Sequence, residues 1–447
     1  MRADLARIVG DEHVLPGDDA IYTADQTLAS AVRGVAEAVV RPADAEQVAA
    51  VVAWCGENEV PIVPRGGGTG WAGGAVPRGS GVVLALERLN RVRRLDPLQW
   101  RMCAEAGVTT ATVQRLAREN GLYYPPDPGA AESSQIGGNV ATNAGGPHCF
   151  KYGVTGAWVT GLEVVLAGGE IVRFGGPVRK DVAGYDLRSL MVGSEGTLGI
   201  ITAVWLRLIP AVPEPLPVAA FYAGAAQGGE AIARLMAAGP VPAAIEYLDA
   251  ATLKIAGDGF PGGVPDGAGF LVIAESDSGA ADRDALAQAL AQDAIGAVLT
   301  PPDAAALWRW RDGVGLVVTS ARAGKLSDDI AVPVERLAEA VEETVRIGER
   351  HGLEACSWGH AGDGNIHATF MLDARDQLAL RRANAAAAEV MAMALRMDGT
   401  VSGEHGIGVL KNGWLQHQWQ AGAVAAHRAV KTALDPDGIF NPGKKLP

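Results

Sequence analysis

Positive charge is in deficit in this chain. Its 447 residues carry 38 Lys plus Arg against 51 Asp plus Glu, a formal net charge of −13. Phosphate-binding surfaces need clustered positive charge, so this balance excludes a nucleic-acid or anionic-membrane partner. Long hydrophobic runs are absent as well. None approaches the ~18 residues a membrane span needs, and the N-terminal stretch MRADLARIVGDEHVLPGDD places acids where a signal peptide carries its apolar segment. The expectation is a cytoplasmic protein with no transmembrane segment. Cysteine is sparse: Cys55, Cys103, Cys149 and Cys356 lie far apart without a CxxC pair, so neither a thiolate metal site nor an iron–sulfur cluster is readable and buried thiols are expected. Aromatic residues make up only 5 %, whereas there are 58 glycines, a balance that favours tight turns and close approach of backbone to a ligand.

What is present reads as a mixed α/β chain of two or three domains. Val48, Val51, Val52 and Cys55 stand at i, i+3, i+4 and i+7, one face of a helix over residues 43–58. Short buried strands are expected at 61–64, 81–86 and 162–167. The last of these turns back at Gly168-Gly169 into Ile171-Val172-Arg173-Phe174 as a hairpin. Four prolines between Ile209 and Pro217 mark a boundary. Beyond it, strands at 218–222 and 270–274 alternate with Ala-rich helices, and a helix after Pro333 places Val334, Leu337 and Val341 on one face. The division expected is 1–210, 211–395 and 396–447.

Three glycine-rich segments fall in the first of these regions. Residues 64–75 read PRGGGTGWAGGA, and Gly68 to Gly73 satisfy GxGxxG. No helix can open at the third glycine, because VPRGSG follows, so a Rossmann-type pyrophosphate site is excluded. What remains is either a backbone N–H nest for a phosphate pair or a flexible surface loop. Residues 125–146, PPDPGAAESSQIGGNVATNAGG, and 192–202, VGSEGTLGIIT, repeat the pattern, the latter running into a strand. Together they suggest a large ligand wrapped by loops, although each alone could be an ordinary turn.

The C-terminal half carries GHAGDGNIH (359–367) and SGEHG (402–406). Two imidazoles and a carboxylate leave an open coordination position, the arrangement of a catalytic divalent metal. The alternative is a set of turn and strand residues satisfied by local hydrogen bonds. Arg311, in Trp308-Arg309-Trp310-Arg311, is either a carboxylate-binding fork or an arginine on a surface helix.

Taken together, VPRGGGTGWAGGA, IGGNVATNAGG, GSEGTLGIIT, GHAGDGNIH, SGEHGIG and the terminal NPGK span nearly the whole chain. Their set resembles the flavoprotein superfamily of vanillyl-alcohol oxidase and p-cresol methylhydroxylase, in the branch of D-lactate dehydrogenase, the glycolate oxidase flavin subunit and D-2-hydroxyglutarate dehydrogenase. The fold that the resemblance implies is α+β: a two-subdomain FAD-binding domain, an α/β substrate (cap) domain with an antiparallel sheet, and a C-terminal segment returning to the FAD domain. It assigns the FAD pyrophosphate to Arg65, Gly66, Gly67, Gly68, Thr69 and Gly70. The flavin falls to Pro126, Asp127, Ser133, Gly137, Gly138 and Asn139, with Ile201 near the adenine and Asn441 bordering flavin and substrate. Members with covalent flavin carry a histidine in the 64–75 loop, and this chain has Gly68 and Thr69 there, so non-covalent FAD is expected. His360, His367 and Glu404 are implied ligands of a divalent metal of the Zn²⁺ type, while His405 is the implied base and Arg311 the carboxylate fork.

The activity implied is oxidation of a 2-hydroxy acid to the 2-oxo acid. An alcohol proton does not leave unaided at neutral pH, so an imidazole base and a metal on the oxygen answer the chemical need, and hydride passes to flavin N5. Lys325 stands outside this set, because the segment 323–329 does not align cleanly. Since no cluster or haem motif is present, electrons would leave to an electron-accepting partner protein, a quinone or oxygen. Two alternatives stay open: a same-fold enzyme of the alkyl-dihydroxyacetone-phosphate synthase or phenol oxidase kind, and a non-catalytic flavin subunit of a larger oxidase.

Overall fold

A computed structural model describes residues 1–27, 32–79 and 81–447. The chain divides into two compact units: Met1–Gly145 with Gly153–Ala211 and Glu404–Pro447, and Gly146–Tyr152 with Val212–Gly403. The short excursion 146–152 has no counterpart in the contiguous division read from sequence.

The first unit holds two main sheets. In one, Val14–Pro16, Ala38–Val40, Val82–Ala85 and Ile62–Arg65 lie side by side in that order, the last three parallel. Parallel neighbours need a crossover, which the helix Ala45–Glu57 supplies. Asp44 caps it by accepting from Gln47 N at 2.8 Å. Val48, Val51, Val52 and Cys55 are fully buried in a core with Ile62, Val82 and Leu84, as their spacing predicts. The other sheet is antiparallel, in the order Val92–Asp96, Arg101–Glu105, Ile200–Arg207, Val159–Val165 and Ile171–Gly175. Its outer pair is the predicted hairpin, with Val165 opposite Ile171.

The second unit is built on a six-stranded antiparallel sheet, ordered Leu216–Tyr222, Phe270–Ser276, Ala244–Asp249, Glu354–His360, Asn365–Met371 and Lys325–Ala331. The helix Ala304–Arg322 packs Leu307, Val314 and Val318 onto Leu248, Leu271, Cys356 and Trp358. After Pro333 the chain makes a 3₁₀ turn, Val334–Arg336, before the helix Leu337–Arg350 begins. Leu337 and Val341 are therefore buried on its inner face while Val334 precedes it.

All four cysteines are buried and none forms a disulfide; burial pushes the Cys55 and Cys356 thiols up to about 12. Among the described residues no helix is long and apolar enough to cross a membrane.

Candidate active site

In the first unit, the strand Ile62–Arg65 delivers the chain into the glycine loop, and no helix follows within the described residues 66–79. This loop packs against residues 133–138 backbone to backbone. A Cβ on Gly67 would fall 2.0 Å from the Ser133 carbonyl oxygen, and one on Gly137 would fall 2.6 Å from Ala106 Cβ, so both positions exclude a side chain. Gly138 is the opposite case. A Cβ there meets nothing within 4 Å, while the Gly138 Cα lies 3.5 Å from the Cβ position of Gly66. Bare backbone thus borders open space at Gly138, with the buried Gln135 Oε1 beside it lacking a hydrogen-bond partner among the described residues. Such a cradle fits an elongated phosphate-bearing cofactor.

The polar side chains assigned to the cofactor also hold the cradle together. Arg65 is buried and donates from Nη1 to Ala24 O at 2.7 Å and from Nη2 to Ile21 O. Asn139 donates to Thr110 Oγ1, which also bonds Ser134 Oγ. Asn441 donates to Gly74 O at 3.0 Å and Glu195 O at 2.7 Å, and accepts from Lys444 Nζ at 2.7 Å. Pro126 contributes its carbonyl, which accepts from Gln114 Nε2 at 2.9 Å. Asp127 is half-buried and Ser133 exposed. Ile201 is buried in its strand opposite Val164. Thr69 and Gly70 continue the loop, half-buried. IGGN, read from the sequence as part of a ligand-wrapping loop, instead opens the helix Ile136–Thr142.

His405, also of this unit, lies over Trp71 of the glycine loop, with ring centroids 6.0 Å apart and planes at 22°. Its Nε2 is 3.9 Å from Glu404 Oε1.

In the second unit, cross-strand register assembles a different group. His360 stands opposite Glu246, and His367 opposite both Trp358 and Asp329. The tight turn Ala361–Gly364 between the two histidine strands brings the imidazoles to 5.5 Å, edge to face. Glu246 is fully buried and serves two partners: His360 Nδ1 at 2.6 Å and the Arg311 guanidinium. Burial alone would push its carboxyl up, but the Arg311 charge and the His360 ring hold it below its ordinary value. A carboxylate on Nδ1 fixes the orientation of the ring, as the outer-shell partners of metal-binding histidines do. Arg311 is itself buried, and its Nε has no hydrogen-bond partner among the described residues. A planar guanidinium in that state suits a carboxylate ligand.

Asp329 accepts from Asn365 Nδ2 at 2.6 Å and Ser402 Oγ at 3.0 Å. Gly403 passes so close that a Cβ on it would fall 2.9 Å from Asp329 Oδ1. Lys325 is buried with its amine donating to Gly315 O at 2.8 Å and lying 4.9 Å from the Trp358 ring. Burial lowers that amine to about 8. Glu246, Asp329 and Asn365 were missed by sequence reading. The one signal for the two acids is a carboxylate inside an otherwise buried strand, which is costly unless partnered.

Comparison with known proteins agrees with both halves. Residues 36–175 match an FAD binding domain and 217–445 match the C-terminal domain of FAD linked oxidases. The glycolate oxidase subunit GlcD of Bacillus subtilis (strain 168) is 35 % identical over 431 residues, 95 % of this chain and 91 % of that protein. The D-lactate dehydrogenase of Archaeoglobus fulgidus is 32 % identical over 451 residues, 99 % of this chain and 98 % of that one. Among solved structures, p-cresol methylhydroxylase with substrate bound superposes with a TM-score of 0.79 at 17 % identity, covering 99 % of this chain and 95 % of its own. The chain belongs to the FAD-linked oxidases and is an oxidoreductase flavoprotein of the p-cresol methylhydroxylase fold.

Proposed function

We propose that the protein oxidises a small 2-hydroxy acid of the D-lactate, glycolate or D-2-hydroxyglutarate class to the corresponding 2-oxo acid. The observation that carries this reading is the double pairing of Glu246, which orients at once a guanidinium suited to the substrate carboxylate and an imidazole suited to a metal. The names of the relatives, glycolate oxidase subunit and D-lactate dehydrogenase, agree with that substrate class.

In this reading Arg311 binds the carboxylate and fixes which face of C2 is presented. His405 takes the hydroxyl proton. His360, His367 and Glu404 hold a divalent ion such as Zn²⁺. Asp329, opposite His367 in cross-strand register within the second unit, joins the proposed donor set; nitrogen and oxygen ligands of this kind suit zinc. FAD, non-covalently held in the Gly66–Gly70 and Gly137–Gly138 cradle, supplies the hydride acceptor. The electron acceptor is a partner protein or a quinone, in keeping with the word subunit in the GlcD name.

The decisive experiment is a panel of D-lactate, glycolate and D-2-hydroxyglutarate, with the L-isomers of the two chiral acids, read by loss of flavin absorbance under argon. One of the first three is expected to bleach the flavin; failure of all three with metal loaded would favour the non-catalytic flavin subunit. Removal of the metal is a separate prediction. Dialysis against a strong chelator is expected to lower the bleaching rate by on the order of 10² without loss of FAD, and Zn²⁺ should restore it. Full rates in protein shown metal-free by elemental analysis would leave His360, His367 and Glu404 a structural role only.

A further inference from the structure

Within the first unit, the segment GSEGTLGI contains a residue whose geometry is costly and which none of the roles above uses. Glu195 has φ +53, a left-handed conformation that non-glycine side chains adopt at a price in strain and that the surroundings must enforce. Its side chain is 3 % exposed. Both carboxylate oxygens are engaged by one short piece of backbone: Ile407 N donates to Oε1 at 2.8 Å and Gly408 N to Oε2 at 2.7 Å. Between these amides and His405 stands only Gly406, at φ +83, where a Cβ would fall 3.1 Å from Glu195 Oε1.

Glu195 is itself fixed on both sides. Its N–H donates to Ala141 O at 2.7 Å and its carbonyl accepts from Asn441. Lys445 Nζ, 3.3 Å from Oε1, offsets the charge.

We infer that Glu195 is a positioning residue for His405: by gripping the Ile407 and Gly408 amides it sets the turn that lays the imidazole over Trp71. Two backbone amides accepted by one carboxylate form a stiff, charge-assisted clamp, and an Ala72 carbonyl that accepts Val409 N at 2.9 Å closes the turn from the other side. A loop bearing a reactive side chain needs such a clamp, since small misplacements of a base reduce rate steeply. The inference rests on the reading of His405 as the base, and the test separates the two.

Glu195→Gln keeps the shape but turns one acceptor into a donor that faces an N–H. In the FAD-loaded enzyme, reduced anaerobically by whichever acid of the panel bleaches it fastest, this variant is expected to lower the limiting reduction rate about tenfold with the half-saturating substrate concentration changed less than about twofold. Hydrogen exchange should speed up in the peptide covering 404–411 and not in that covering 136–142. In a His405→Ala background the same substitution should cost nothing further in rate while still loosening the 404–411 amides. An equal rate loss in both backgrounds, or unchanged exchange, would overturn the proposal. Full activity of His405→Ala alone would instead remove the base reading, leaving the exchange result to decide the clamp. Should Glu195→Gln not fold, Gly406→Ala presses on the same contact, and unaltered reduction rate in that variant would equally overturn the inference.

Discussion

Replacing His405 with alanine is expected to slow substrate-driven flavin reduction by on the order of 10² or more while leaving the FAD content unchanged. The rate argument starts from the substrate: a C2 hydroxyl ionises far above neutral pH, so the proton must move to a base as the C–H bond breaks, and imidazole is the side chain whose ordinary pKa best matches that duty. Loss of 10² in rate is about 2.7 kcal/mol of barrier, within what one positioned base supplies. The argument for intact FAD binding is structural. Trp71 loses a ring neighbour 6.0 Å away, but the loop that carries it stays pinned by Ala72 O, which accepts Val409 N and Leu410 N, and by the Gly74 carbonyl under Asn441 and Lys444. Rapid-mixing absorbance under argon measures the first quantity, and the 450 nm flavin to protein ratio the second. A variant that reduces at the native rate would exclude His405 from proton transfer.

Much of the architecture was open to reading because it rests on local pattern. The helix Ala45–Glu57, the strands Ile62–Arg65 and Val82–Ala85 and the hairpin around Gly168 each follow from apolar spacing or a turn signal within a dozen residues. The absence of a helix after the glycine loop was legible for the same reason, from VPRGSG. IGGN was not legible as a helix, because two glycines oppose one by about 1 kcal/mol each. Packing of Gly137 on Ala106 overrides that cost. The outer partners of the histidines were hidden for a different reason. Glu246 lies 114 positions from His360, and only the order of strands in the sheet brings them into register. Asp329 sits in the run SDDI, which no sequence pattern singled out, and its place opposite His367 comes from pairing of the strand Lys325–Ala331 with Asn365–Met371. Motifs announce the candidate residues; the carboxylates paired with them belong to strands whose own sequence carries no such mark.

Arg311→Met tests one of those hidden partnerships and is expected to act on both stability and activity. Glu246 would keep the His360 ring as a hydrogen-bond partner but lose the guanidinium charge, and removing one member of a buried ion pair costs about 3–5 kcal/mol, read as a fall in melting temperature of the FAD-loaded protein. The pH dependence has a definite sign. In the native protein the Glu246 carboxyl is held below its ordinary value, so its contribution is present above the unfolded carboxylate range and is lost as pH falls through the folded value. Without the guanidinium, burial pushes the same carboxyl up. The variant is then most penalised near neutrality and recovers as the carboxyl takes up a proton, so the stability gap should narrow from pH 7 to pH 4. Activity should not recover with it. A lost bidentate contact to a carboxylate is worth about 3 kcal/mol, so kcat/KM for the 2-hydroxy acid should drop by on the order of 10². Adding Glu246→Gln to Arg311→Met removes the orphaned charge and is expected to return most of the melting temperature with no return of kcat/KM. Arg311→Lys, which keeps the charge without the planar fork, should fold and still bind substrate poorly. Native kcat/KM in Arg311→Lys would show that the fork is not what recognises the acid, and an undiminished melting temperature in Arg311→Met would show that Glu246 does not depend on it.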